Sequence, residues 1–153
     1  MNTKSISISN NSCNDKEYTI FDFSRFTSLE ELIIGNDCFE YVNRFKMNKM
    51  NQLKSLKIGI NSFTKTKNSN GNDYSRSFSI LNCAELKSVE IGRYSFSDYS
   101  GSFELSSLPK LSSIIIGQIG EKSCNFYFAS FVLKGLNIMA TAIQIFLVSL
   151  LFR

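Results

Sequence analysis

The sequence predicts a β-rich solenoid of parallel strands with an apolar helix at its C-terminus. Three observations lead to this prediction: a strand-like phrase recurs along the chain, a second alternating phrase precedes it at a constant distance, and the last segment is almost wholly apolar. The chain has 153 residues, of which 43% are hydrophobic, so a single domain with a buried core is expected.

The first recurring phrase begins at Leu29, Leu53, Leu86 and Leu111, where the chain reads LEELIIGNDCF, LKSLKIGINSF, LKSVEIGRYSF and LSSIIIGQIG. A weaker copy, ISISNNSC, begins at Ile6. The glycine recurs once per unit, so we interpret it as a turn residue that needs unusual backbone angles rather than as part of a phosphate-binding loop.

The second recurring phrase begins eight residues before each of those leucines. Its copies start at Phe21, Phe45, Phe78 and Phe103, and a further copy starts at Phe131. Apolar and polar residues alternate in both phrases, which is typical of strands, and stacking the units would bury their apolar faces. We therefore predict one buried column of isoleucines and one of phenylalanines, formed by Ile8, Ile34, Ile58, Ile91 and Ile116 and by Phe39, Phe63 and Phe96.

The phrase LKSLKIGINSF, which reads L-x-x-L-x-I-x-x-N-x-F, resembles the core of leucine-rich repeats. Asn61 matches the asparagine of that family, and the resemblance implies that its side chain serves backbone groups in the turn. The segments IGINSF and IGRYSF resemble the BspA-like subfamily, which occurs largely in cell-surface proteins of microbes and protists. The resemblance covers about residues 6–135 and implies parallel strands on the concave side of the solenoid, with short second strands opposite.

Four residues on the concave strands are candidates for contacting a partner protein. Ile33, Lys57, Glu90 and Ile115 occupy the same position in successive units, so stacking would place them side by side. The column has two interpretations: a solvated face in which opposite charges attract by roughly 0.2–1 kcal/mol per pair, or a recognition patch in which exposed isoleucines contact the partner.

The second unit carries a polar, locally basic insertion, TKTKNSNGNDYSRS, at residues 64–77. One interpretation is a surface loop that folding does not need, because loop-closure entropy depends only weakly on length. The other is a projecting contact loop in which Tyr74 and Arg76 are anchors, since tyrosine and arginine are enriched at binding hot spots.

The repeat domain is predicted to end at residue 135, and residues 136–153 are predicted to form a separate apolar tail. Three alternatives remain for it: a helix that caps the open end of the solenoid, a membrane anchor through residues 136–152, or a segment that does not belong to the native fold. The first 12 residues, MNTKSISISNNS, lack the apolar core of a secretory signal. These observations favour a cytoplasmic chain or one that meets a membrane through the tail.

The composition argues against catalysis, because the chain has no histidine, the commonest general base and metal ligand. We expect no catalytic residues, no cofactor and no metal site. The net charge of +4 is spread along the chain and predicts no nucleic-acid partner. The four cysteines, Cys13, Cys38, Cys83 and Cys124, are expected to be unpaired residues of the repeat core. With three residues inserted in the last unit, Cys124 aligns with Phe39, Phe63 and Phe96. The function expected from the sequence is that of a protein-binding scaffold, and the alternative is a membrane-tethered structural or surface protein.

Overall fold

The computed structural model describes residues 2–137 and the backbone of residues 142–145. The described residues form eleven strands: β1 (Ser5–Ile8), β2 (Ile20–Phe21), β3 (Glu31–Ile34), β4 (Arg44–Asn48), β5 (Ser55–Ile58), β6 (Ser77–Leu81), β7 (Ser88–Ile91), β8 (Ser102–Leu108), β9 (Ser113–Ile116), β10 (Ser130–Leu136) and β11 (Ala142–Ile145). Successive strands along the chain alternate between two sheets, and every pair within a sheet is parallel. The chain is therefore a β-solenoid, as the repeat predicts.

The first sheet contains the strands of the L-x-x-L-x-I phrase, in the order β1-β3-β5-β7-β9-β11. The second sheet contains the strands of the phenylalanine phrase, in the order β10-β8-β6-β4-β2. The predicted register of the isoleucine column is confirmed, because Ile8, Ile34, Ile58, Ile91 and Ile116 pair on neighbouring strands of the first sheet. The column is buried except at its first member, Ile8, which is half-buried. Each coil of the solenoid therefore adds one strand to each sheet.

A ladder of phenylalanine rings lies in the core between the sheets. Phe63 stacks on Phe39 with ring centroids 4.9 Å apart, and on Phe96 at 4.8 Å, which confirms the predicted column. Phe126 continues the ladder at 5.0 Å from Phe96. The prediction that Cys124 aligns with this column is wrong, because Phe126, two residues further along the chain, occupies the position.

The turns after the first-sheet strands carry pairs of residues with left-handed backbone angles. In the units that begin at Leu29 and Leu53 these pairs are Asp37 with Phe39 and Asn61 with Phe63, whose φ angles lie between 56° and 57°. Gly59 and Gly92, in contrast, do not have positive φ among the described backbone angles. The prediction that these glycines supply the unusual angles is therefore wrong for them.

The recurring glycines are needed because successive turns approach each other closely. A Cβ atom added to Gly92 would lie 2.6 Å from the backbone carbonyl of Gly59, and one added to Gly59 would lie 2.7 Å from that of Gly35. Real Cβ atoms do not come so close to backbone, so any side chain here would push two units apart. This contact explains Gly59 and Gly92 without invoking conformational freedom, whereas Gly117 in the last unit does have a left-handed φ of 84°.

Small polar side chains bind the turns together across units. Ser62 Oγ donates a hydrogen bond to Gly35 O at 2.8 Å, and Ser95 Oγ donates to Gly59 O at 2.6 Å. Cys38 takes the same position one unit earlier, where its Sγ donates to Ser9 O at 3.1 Å. Asn61, the residue that resembles the asparagine of leucine-rich repeats, accepts a hydrogen bond at its side-chain Oδ1 from the backbone N–H of Asn68 in the insertion, and its Nδ2 donates to Asn68 Oδ1.

The predicted C-terminal helix is not confirmed. Within that segment the structure describes Ala142–Ile145 as strand β11, which pairs in parallel with β9. Strand pairing continues past the predicted boundary at residue 135, because Leu136 pairs with Leu108 in the second sheet and Ile143 pairs with Ile114 in the first. The sequence from Leu136 to Ile143 is one residue longer than that from Leu108 to Ile114. Residues 138–141 and 146–153 lie outside the described residues. Among the described residues, no helix is long and apolar enough to cross a membrane.

Candidate functional site

The solvent-facing side of the first sheet brings together four of the six predicted contact residues. Ile33 pairs with Lys57, Lys57 with Glu90, and Glu90 with Ile115, so the four form one row across β3, β5, β7 and β9. We call this row the 33–115 row. Successive residues of a strand point to opposite faces of the sheet. The row residues point outward, because the residues before and after each of them are apolar and point into the core.

The row combines an ion pair with two apolar ends. Lys57 Nζ lies 3.1 Å from Glu90 Oε1, and the two side chains are 57% and 49% exposed. An ion pair this exposed contributes little to stability, roughly 0–1 kcal/mol. Ile33 and Ile115 are half-buried. The row therefore has one apolar residue at each end and, between them, a pair of charges that remain hydrated.

A row of serines beside the 33–115 row leaves a shallow groove on this face. Ser55, Ser88 and Ser113 are in register on β5, β7 and β9. Their short side chains, together with the taller row residues, border a depression of about 170 Å³. The depression is too small for a drug-sized ligand, which needs roughly 300–1,000 Å³.

A second line of charges borders the same sheet where its strands begin. Glu30 forms ion pairs with Lys54 and with Lys4, the latter at 3.0 Å. The hydrogen bond from Lys54, followed by that from Lys4, lowers the pKa of the Glu30 carboxyl, and the same contact with Glu30 raises the pKa of Lys54. This edge of the sheet therefore carries one carboxylate between two cations, and all three side chains reach solvent.

The other two predicted contact residues, Tyr74 and Arg76, have opposite environments. Tyr74 is 70% exposed, as an anchor for a partner would be. Arg76 is fully buried, so the prediction that it contacts a partner is wrong. Its guanidinium pairs with the Asp98 carboxylate, donates to the carbonyls of Glu40 and Val42 at 2.8 and 2.6 Å, and lies 4.7 Å from the centre of the Tyr99 ring.

The buried Arg76 cluster escaped sequence reasoning because an arginine in a polar insertion resembles a solvated residue. The signal that could have found it is the segment SDYSG at residues 97–101, which follows Phe96 directly. It supplies both the carboxylate and the aromatic ring that a buried guanidinium needs. Arg76 is therefore a structural residue that joins the insertion to the next unit.

The insertion lies against that next unit through further hydrogen bonds. Thr64 Oγ1 and Ser97 Oγ are 2.7 Å apart, Lys65 N donates to Asp98 Oδ2 at 3.0 Å, and Gly71 N donates to Ser97 O at 3.1 Å. A Cβ on Gly71 would lie 2.6 Å from the Cβ of Asp98. The insertion is at the surface, as predicted, but it is fixed to the solenoid rather than projecting freely.

The four cysteines are unpaired, and Cys38, Cys83 and Cys124 are buried. Burial raises the pKa of the Cys83 and Cys38 thiols, and burial followed by the proximity of Cys38 raises that of Cys13. Raised pKa values suppress the reactive thiolate, so these residues behave as small core side chains. No group of three or more metal-ligating side chains occurs in the part of the chain that the structure describes.

Comparison with known proteins finds no protein-family model, no curated protein and no solved structure that matches the chain.

Proposed function

We propose that this chain is a non-enzymatic scaffold of the leucine-rich-repeat kind, similar to BspA-like proteins, that binds another protein through the exposed face of its first sheet. The observation that carries the proposal is the 33–115 row. It places two half-buried isoleucines on the same open face as an exposed Lys57–Glu90 pair.

Several features of this face support protein binding. Regular strand pairing in the first sheet holds the side chains of this face at fixed spacings, which lowers the entropy lost on association. A partner that covers the apolar side chains removes them from water, which favours formation of the complex. The charges between them would discriminate among partners by requiring complementary groups opposite Lys57 and Glu90.

The experiment that tests this proposal is affinity capture with the full chain and two single variants, Ile33→Glu and Ile115→Glu, each checked for folding by circular dichroism. Ser102→Glu is the matched control, because Ser102 is exposed on the second sheet. Proteins that bind through the 33–115 row should be retained by the wild type and by Ser102→Glu and lost with both isoleucine variants. If both isoleucine variants retain every protein that the wild type retains, this face is not the binding surface.

A further inference from the structure

A second candidate surface lies at the start of the second sheet, where one strand is much shorter than its neighbour. β2 pairs with β4 at only two positions, Ile20 with Arg44 and Phe21 with Phe45. β4 itself runs to Asn48 and pairs with β6 along its whole length. The second half of β4 therefore has a strand partner on one side only.

The backbone hydrogen bonds show which groups this leaves open. Ser77 N donates to Asn43 O, and Lys49 N donates to Leu81 O, so odd-numbered residues at β4 bond towards β6. Residues along a parallel strand alternate between their two neighbours. The carbonyl of Lys46 and the N–H and carbonyl of Asn48 therefore point to the side that β2 leaves uncovered.

The sequence explains why β2 stops. Ser24 N donates to Asp22 Oδ1 at 2.8 Å, which forms a tight turn directly after the strand. Phe23 consequently stacks on Phe21, with ring centroids 4.5 Å apart, rather than pairing with Met47 as the alternation of the second phrase predicts. The turn diverts the chain away from the β4 edge.

A cavity of about 350 Å³ occupies the space beside this edge. Met47 and Met50 contribute apolar lining, and the exposed side chains of Arg44 and Lys46 border it. Neither cation forms an ion pair within the part of the chain that the structure describes. Asp22 is the single carboxylate in the lining, so the border carries a net positive charge.

We propose that this edge binds an extended acidic peptide segment that adds to β4 as a parallel strand, with a carboxylate opposite Lys46 and an apolar residue opposite Met47. In this pairing the carbonyls of Lys46 and Asn48 accept hydrogen bonds from the peptide backbone and the N–H of Asn48 donates one. The cavity receives the apolar side chain. The two unpaired cations select a negatively charged segment over a neutral one. This surface is separate from the 33–115 row, and the proposal does not depend on the function proposed for that row.

The test uses the full chain and the hexapeptide TEVTVT-amide, which carries fluorescein on its N-terminus for fluorescence anisotropy. Replacing the peptide's glutamate with lysine should weaken binding about tenfold or more through lost ionic contacts. Two further peptides carry N-methyl groups on one or the other set of alternate residues. Only one set faces β4, so only one of these peptides should lose binding. Equal binding of both N-methylated peptides would overturn strand addition.

Variants of Asn48 supply the matched test on the protein side. Asn48→Pro removes the N–H that faces the open edge and leaves the pairing with β6, whereas Asn48→Ala keeps the N–H and removes only the side chain. Asn48→Pro should weaken binding about tenfold or more, and Asn48→Ala should bind as the wild type does. Equal binding by the two variants would contradict the proposal, and if Asn48→Pro fails to fold, the N-methylated peptides decide.

If sedimentation shows a dimer that Asn48→Pro abolishes, the occupant is a second copy of the chain and the peptide proposal is wrong. Ile33→Glu should leave peptide binding unchanged.

Discussion

Arg76 and Tyr74 lie two residues apart in the insertion and differ in what they contribute to the fold. Arg76 is buried against Asp98 and Tyr99, whereas the Tyr74 side chain is mostly in solvent. A buried charge that loses its partner is costly, because the remaining charge is left without compensation. At this scale, stability depends on pairing inside the core, and surface residues of the same insertion contribute little.

We predict that Arg76→Ala lowers the free energy of unfolding by about 3–5 kcal/mol, because it leaves the Asp98 carboxylate buried and unpaired. Tyr74→Ala is the control and should change it by less than about 0.5 kcal/mol. Chemical denaturation followed by circular dichroism measures both. A small effect of Arg76→Ala would show that the Arg76 cluster is open to water.

The phenylalanine ladder gives a second prediction at the residue scale. Phe63→Ala should lower the free energy of unfolding by about 3–5 kcal/mol, because it removes a fully buried ring between two others and leaves a cavity. Phe128→Ala is the control, since Phe128 is exposed. Denaturation midpoints that agree for the two variants would place Phe63 outside the core.

Burial also predicts how stability depends on pH. It raises the pKa of Cys83 above its usual 9.0, and that of Tyr99 above its usual 10.0. Folding therefore favours the neutral forms of both side chains. The stability that this adds is present in full below their usual pKa values and is lost as the pH rises through and beyond those values. The free energy of unfolding should fall above about pH 9, and Tyr99→Phe should reduce this fall. An unfolding free energy that stays constant into that range would argue against burial of these groups.

At the scale of elements, the two recurring phrases predict the strands because their alternation and spacing repeat in every unit. The isoleucine column and the 33–115 row follow directly from that register. Two of the assignments that fail lie where the spacing changes. Two additional residues place Phe126 rather than Cys124 in the ladder, and one additional residue realigns Ala142–Ile145 with β9. The open edge of β4 was missed because Phe23 fits the pattern of a strand, and only the turn at Asp22 removes it.

The insertion yields a prediction at the element scale. Deleting Lys65–Asn72 should leave a folded solenoid but lower its free energy of unfolding by about 1–3 kcal/mol, because Ser97 and Asp98 lose hydrogen-bond partners while buried. Replacing Asn70 and Asn72 with serine changes exposed side chains only and serves as the control. Loss of the folded state on deletion would show that the insertion is required for folding, whereas an unchanged stability would show that its contacts with the next unit are not maintained in solution.

At the scale of the whole molecule, stability comes from contacts between neighbouring units, as in other repeat architectures. Each strand is covered by the next, so the outermost strands leave backbone edges exposed unless something pairs with them. β11 provides this pairing for β9 at the end of the first sheet. The segment after residue 135 therefore belongs, in its described part, to the same arrangement as the repeats.

We expect removal of residues 136–153 to increase aggregation, because it shortens β10 and uncovers the edge of β9. Light scattering and chemical denaturation of the 1–135 form beside the full chain measure the effect. Better solubility with unchanged unfolding free energy would instead favour the membrane-anchor alternative for this segment.

The central claim is that successive units stack so that each row residue lies beside its counterpart in the next unit. Disulfide formation between engineered cysteines tests it most directly, in a variant whose four native cysteines are replaced by alanine. Neighbouring strands lie about 4.8 Å apart, within reach of a disulfide, whereas strands two apart are separated by about twice that distance. Lys57→Cys with Glu90→Cys should therefore cross-link on mild oxidation, and Lys57→Cys with Ile115→Cys should not. Efficient cross-linking of the second pair, or none of the first, would contradict the stacked register.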